Sequence, residues 1–154
     1  MKNLVTVKET VFVATSPEIV WDFTQDYERR VVWDKSIITA TVIQDKPTRI
    51  VEVKGKGNLR AKFRYKLDDR PNKSSLAMVN TESCIVEGGG GSWSYLPRDY
   101  GTLWTQTNTL ILKKGLLTKL LRPIIAYLLR QRTRASMELA KQMIEQSVPS
   151  SMEA

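Results

Sequence analysis

The end of the chain limits the fold most. Residues 102–114 read as one long strand, and residues 116–146 then read as a single long helical segment. A helix of that length placed after a sheet buries its apolar side best if the sheet curls around it. The order therefore predicts a curved sheet gripping a C-terminal helix, with an apolar cavity between them.

The upstream segments suit this architecture. Residues 4–14, rich in Val and Thr, read as a strand. Thr15-Ser16-Pro17-Glu18 is a helix start: Ser16 suits the N-cap, Pro17 the first helical position, and Glu18 the positive end of the helix dipole. A second short helix is expected over residues 27–33. Strands are expected at 36–44 and 49–54, joined by a turn at Asp45-Lys46-Pro47, with another turn at Gly55-Lys56-Gly57-Asn58. Further strands are expected at 75–83 and 92–96, with Gly88 to Gly91 as a flexible connection and a turn at residues 97–101. The clearest pattern lies at 59–67, where Leu59, Ala61, Phe63, Tyr65 and Leu67 alternate with Arg60, Lys62, Arg64 and Lys66. One face is apolar and the other cationic, as in a half-buried antiparallel strand. Hairpin-length connections make an antiparallel sheet of about seven strands, and the class is α+β. One domain over residues 1–147 and a frayed tail over 148–154 are expected.

Composition removes several kinds of chemistry. The 154 residues contain no histidine and one cysteine, Cys84. Serine–histidine and cysteine–histidine nucleophiles, histidine-ligated metals and internal disulfides are thereby excluded, and no metal or cofactor is called for. The start lacks the apolar core of a signal peptide, and the longest apolar run, residues 124–129, is far short of a membrane span. A cytoplasmic location is the expectation. The net charge of +8 is local: residues 54–66 hold six cations and residues 113–134 hold seven, neither segment with an acid. Such fields favour anionic partners, among them phospholipid surfaces. Nucleic acid fits poorly, because the aromatics at 63 and 65 fall on the face opposite the cations and supply no stacking platform.

The order of one strand, two short helices, six strands and a long helix resembles the helix-grip superfamily of START domains and birch-pollen-allergen-like proteins, and within it the polyketide cyclase/dehydrase-like proteins. The resemblance rests on Thr15-Ser16-Pro17-Glu18-Ile19-Val20-Trp21, Trp33-Asp34, Gly101-Thr102-Leu103-Trp104 and Lys114-Gly115-Leu116-Leu117. It implies a cavity for a hydrophobic or amphipathic small molecule or lipid. It supplies no catalytic set and no cofactor.

Candidate cavity walls follow from strand parity: Phe63, Tyr65, Met78, Asn80, Glu82, Tyr95, Trp104, Gln106, Asn108 and Leu110. The long helix adds Leu117, Leu121, Ile125 and Leu128. Its first half, with Leu116, Leu117, Leu120, Leu121, Ile124, Ile125, Leu128 and Leu129, is greasier than one packing face needs; it would line the cavity mouth, touch an anionic membrane weakly, or form a dimer contact. From Ala135 onward the apolar set narrows to a stripe of Ala135, Leu139, Met143 and Ile144, and Pro123 is expected to kink or restart the helix. Three readings remain open at this point. One is ligand binding without chemistry. Another is an enzyme using Glu82 as general base with Tyr65 or Tyr95 as hydrogen-bond donor. The last is a membrane-surface or partner-binding module.

Overall fold

Among the described residues, one strand, two short helices, six strands and a long helix follow in the order the sequence pattern predicts: β1 (Asn3–Val13), α1 (Pro17–Thr24), α2 (Tyr27–Trp33), β2 (Ile37–Gln44), β3 (Arg49–Gly55), β4 (Arg60–Asp69), β5 (Lys73–Glu82), β6 (Val86–Arg98), β7 (Gly101–Leu112) and α3 (Leu116–Ser147). The computed structural model describes residues 3–56 and 59–148; Gly57 and Asn58 of the expected turn, and the expected tail beyond Val148, lie outside the described residues. The sheet is antiparallel throughout, in the order β1-β7-β6-β5-β4-β3-β2. This is a helix-grip fold of the α+β class. No helix of the described residues is long and apolar enough to cross a membrane.

Local chemistry accounts for the short helices. Pro17 opens α1 behind the extended Ser16, although the Ser16 side chain makes no capping bond. At α2 the cap is made: Asp26 accepts from the Arg29 backbone N–H. The β6–β7 hairpin turns on Asp99 and Tyr100, with Asp99 left-handed at φ 53°. Aspartate tolerates that region better than most residues.

Two expectations change. Gly88 to Gly91 are not a connection but the middle of β6, paired with β7 on one side and, at Gly90 and Gly91, with β5 on the other. The reason is contact. A Cβ at Gly91 would lie 2.5 Å from the Thr107 carbonyl oxygen, and one at Gly89 2.4 Å from that of Thr109. Glycine lets the neighbouring backbones approach, and it leaves the inner face of β6 without side chains opposite Asn108 and Leu110. The helix, for its part, does not restart at Pro123: one helix spans Leu116 to Ser147.

Among the described residues, buried hydrophobic side chains form three clusters. The largest joins Trp21, Trp33, Trp93, Tyr95 and Trp104 to Met137, Ala140 and Ile144 of α3. Its indoles meet at angles, with Trp33, Trp93 and Trp104 centroids 5.7–6.0 Å apart. Such pairs contribute about 0.5–1.5 kcal/mol each beyond their buried area. Ala135, expected on the packing stripe, is exposed; Thr133, Ser136 and Met137 take that side. The free edge of β1 is stapled by α3. Arg122 donates to the Leu4 carbonyl, Lys141 to the Phe12 carbonyl, and Glu145 accepts from the Ala14 N–H. These bonds occupy backbone groups that an open edge would offer to another chain.

Candidate functional site

A cavity of about 360 Å3 lies between the sheet and α3. The alternation of β4 builds one wall, with Phe63 and Tyr65 inward and Arg60, Arg64 and Lys66 exposed. Met78 and Leu76 of β5 continue it, and Gln106, Asn108 and Leu110 of β7 form the floor where β6 contributes glycine. Ile125, Leu128 and Leu129 of α3 close the top.

One end of the cavity is polar, and α2 builds it. Arg30 and Asp34 stand one helical turn apart, so their side chains share a face. Arg30 Nε donates to Asp34 Oδ2 at 2.9 Å and Nη1 donates to the Tyr65 hydroxyl at 2.8 Å. The guanidinium also lies 4.8 Å from the centre of the Trp93 ring. Asp34 Oδ1 accepts from the backbone and hydroxyl of Ser36. Burial alone would weaken the charge on Arg30, but Tyr65 and Asp34 outweigh it and hold the guanidinium more firmly protonated than usual. Burial raises the Tyr65 hydroxyl above its ordinary pKa against the opposing pull of Arg30. The pair is thus fixed as arginine cation and neutral phenol. An ion pair so enclosed is electrically balanced, and a plane of guanidinium N–H groups remains beside the cavity. On the floor, Trp93 Nε1 donates to Asn108 Oδ1 at 3.4 Å and Asn108 Nδ2 donates to Gln106 Oε1 at 2.9 Å. The Gln106 carbonyl oxygen is thereby occupied, and Gln106 lines the cavity with its amide N–H groups as its remaining polar capacity.

Eight of the residues proposed from sequence meet in this cavity: Phe63, Tyr65, Met78, Gln106, Asn108, Leu110, Ile125 and Leu128. Six do not. Asn80 and Glu82 are exposed, because a bulge at Val79 shifts the register. Phe63 pairs with Met78, but Lys62 pairs with Asn80 and Arg60 with Glu82, which puts both polar residues on the cationic outer face. Thr81 takes the inward position instead, paired with Ala61. Tyr95 and Trp104 point inward but into the aromatic core, where the Tyr95 hydroxyl bonds Thr24 and Gln25. Burial, partly offset by those bonds, raises the Tyr95 pKa. Leu117 is exposed, and Leu121 is half-buried outside the cavity lining. The acid–base trio of Glu82, Tyr65 and Tyr95 is therefore not assembled. Sequence reasoning missed Arg30 and Asp34. Their spacing of four was the available signal, but charged residues on a short helix ordinarily face water.

Among solved structures, the chain resembles a Thermus thermophilus protein at TM-score 0.82, with 16% identity and coverage of 94% of this chain and 99% of that one. The Zhui aromatase/cyclase of a Streptomyces species matches at TM-score 0.82, with 15% identity over 96% of this chain and 98% of that one. A START superfamily protein of Mycobacterium smegmatis matches at TM-score 0.73, with 16% identity over 93% and 99%. At such identities the likeness is one of fold. No curated protein matches the sequence. The family model described as polyketide cyclase/dehydrase and lipid transport matches residues 5–145, and the chain belongs to that family.

Proposed function

We propose that residues 1–147 act as one unit that binds a hydrophobic or amphipathic small molecule in the cavity beneath α3, in transport or sequestration. The observation that carries this reading is the cavity's division into an apolar length and one polar end. Its volume of about 360 Å3 falls within the range of small-molecule sites, roughly 300–1,000 Å3. Phe63, Met78, Leu110, Ile125, Leu128 and Leu129 would take the apolar body, each buried Å2 contributing about 25 cal/mol. The polar end would take a group that accepts hydrogen bonds, from the guanidinium of Arg30 and the amide of Gln106. Asp34 already balances Arg30, so a neutral carbonyl or hydroxyl suits that end better than a carboxylate.

The test is saturable binding of an apolar fluorescent probe. Ile125→Arg places a charge in the apolar wall and is expected to weaken binding at least tenfold, while Glu82→Gln, on the outer face, leaves it unchanged. Circular dichroism checks that both variants are folded. Wild-type binding by folded Ile125→Arg would overturn the reading. With binding lost in Ile125→Arg alone, native mass spectrometry and organic extraction of protein from its own host would identify the ligand.

A further inference from the structure

The first half of α3 carries a second apolar surface, separate from the one that closes the cavity. Leu116, Leu117, Leu120, Ile124, Tyr127 and Leu128 are 73%, 66%, 66%, 55%, 59% and 40% exposed. Their spacing of three and four places them along one side of the helix, turned away from the sheet. Ile125, Ala126 and Leu129 do the packing on the opposite side. Six large apolar side chains in one exposed stripe are more than scattered surface hydrophobics, and such a stripe marks a contact surface.

The charges around it select the partner. Seven cations, Lys113, Lys114, Lys119, Arg122, Arg130, Arg132 and Arg134, lie in this segment, and no acid occurs between Lys113 and Met137. Arg122 is turned to the sheet, where it bonds the Leu4 carbonyl, and Arg132 lines the cavity, so the lysines at the start of the helix are the cations left beside the stripe. Glu9 of β1 reaches Arg130 and Arg134, at 4.0 and 3.5 Å. Lys113, Lys114 and Lys119 enter no ion pair among the described residues. A helix lying parallel to a bilayer, with leucines between acyl chains and cations at the headgroups, has this composition. A protein partner or a second copy would accept the leucines equally well, but Lys113, Lys114 and Lys119, three lysines beside them with no ion-pair partner among the described residues, favour an anionic surface.

We propose that α3 docks on an anionic phospholipid bilayer through this stripe. Leu128 belongs to both the stripe and the cavity wall, so the docked face reaches the cavity. Docking itself does not require a filled cavity, and the two proposals fail separately.

The protein's four tryptophans are all buried, at 4% exposure or less, so a tryptophan added on the stripe reports insertion by the change it causes. The experiment uses vesicles of phosphatidylcholine alone or with phosphatidylglycerol, at low and high salt. Expected is sedimentation with the anionic vesicles only, weakened by salt because the Debye length shrinks from ~10 Å at 0.1 M to ~3 Å at 1 M. Tyr127→Trp should gain blue-shifted emission that brominated lipids quench. Neutralising Lys113, Lys114 and Lys119 by glutamine should weaken binding about fivefold per residue, the equivalent of roughly 1 kcal/mol per charge. Leu120→Gln with Ile124→Gln should abolish insertion while probe binding in the cavity persists. Arg64→Gln with Lys66→Gln, on the other cationic face, should have little effect. Equal binding to neutral vesicles, no binding to either, or loss of binding only in the Arg64 and Lys66 variant would each overturn the proposal. So would a concentration-dependent dimer, seen by ultracentrifugation, that the Leu120 and Ile124 variant dissolves.

Discussion

The two halves of α3 invert the usual relation between greasiness and burial. Residues 116–129 hold eight leucines and isoleucines, yet only Thr118 among them is buried. Residues 133–147 hold far fewer large aliphatics, yet Thr133, Ser136, Met137, Ala140 and Ile144 are buried. The second half lies against the aromatic core, where Trp33, Trp93 and Trp104 already fill the space, so small side chains let the helix approach. Ser136 is also used as an acceptor, for the backbone N–H of Lys35. The first half rises over the cavity and turns Ile125, Ala126 and Leu129 down onto Val5, Val7, Val86 and Leu112 of the sheet, none of its own apolar side chains becoming fully buried. Hydrophobicity of a segment measures what it can bury, whereas burial measures what the rest of the chain brings to it.

The contrast makes graded predictions. Truncation in the second half should have the largest effect: Met137→Ala empties a fully buried site and should cost about 2–5 kcal/mol, read as a lower denaturant midpoint at unchanged slope. A loss below 1 kcal/mol would show that the second half is not the anchoring one.

An intermediate effect comes from the buried tyrosines beneath that half and at the polar end of the cavity. Burial raises the pKa of Tyr27, Tyr65 and Tyr95 in the folded protein. In the unfolded chain they ionise near the ordinary value of about 10. Above that pH the folded state holds more protons than the unfolded one, so stability is present below it and falls as pH rises. The slope is at most about 1.4 kcal/mol per pH unit for each tyrosine. Urea midpoints measured between about pH 9 and 11 should fall, and Tyr95→Phe should flatten the fall. A flat profile in the wild type would mean that these phenols are not held in a closed environment.

The smallest effect belongs to the exposed stripe. Leu120→Ala should change stability by no more than about 0.5 kcal/mol, although leucine is the greasier residue. A loss comparable to that of Met137→Ala would mean the stripe is covered in solution, and would break the comparison.

Some of this was legible in the residues alone. The alternation at 59–67, the Ser16-Pro17-Glu18 helix start and the long terminal helix are local patterns, set by the periods of strand and helix, and they specify the element order and the curled sheet. The lack of histidine is likewise a property of the sequence. What tertiary structure decided is which neighbours each element meets. Val79 adds one residue to β5 and turns Asn80 and Glu82 outward, which only pairing with β4 reveals. The glycines at 88–91 read as a breaker until β7 comes close enough to exclude a Cβ. Arg30 and Asp34 read as solvent-facing until Tyr65 and Trp93, 35 and 63 residues further along, enclose them. Local sequence carries the period of an element; register, close approach and enclosure are properties of residues distant in the chain, and they exist only once the chain has folded.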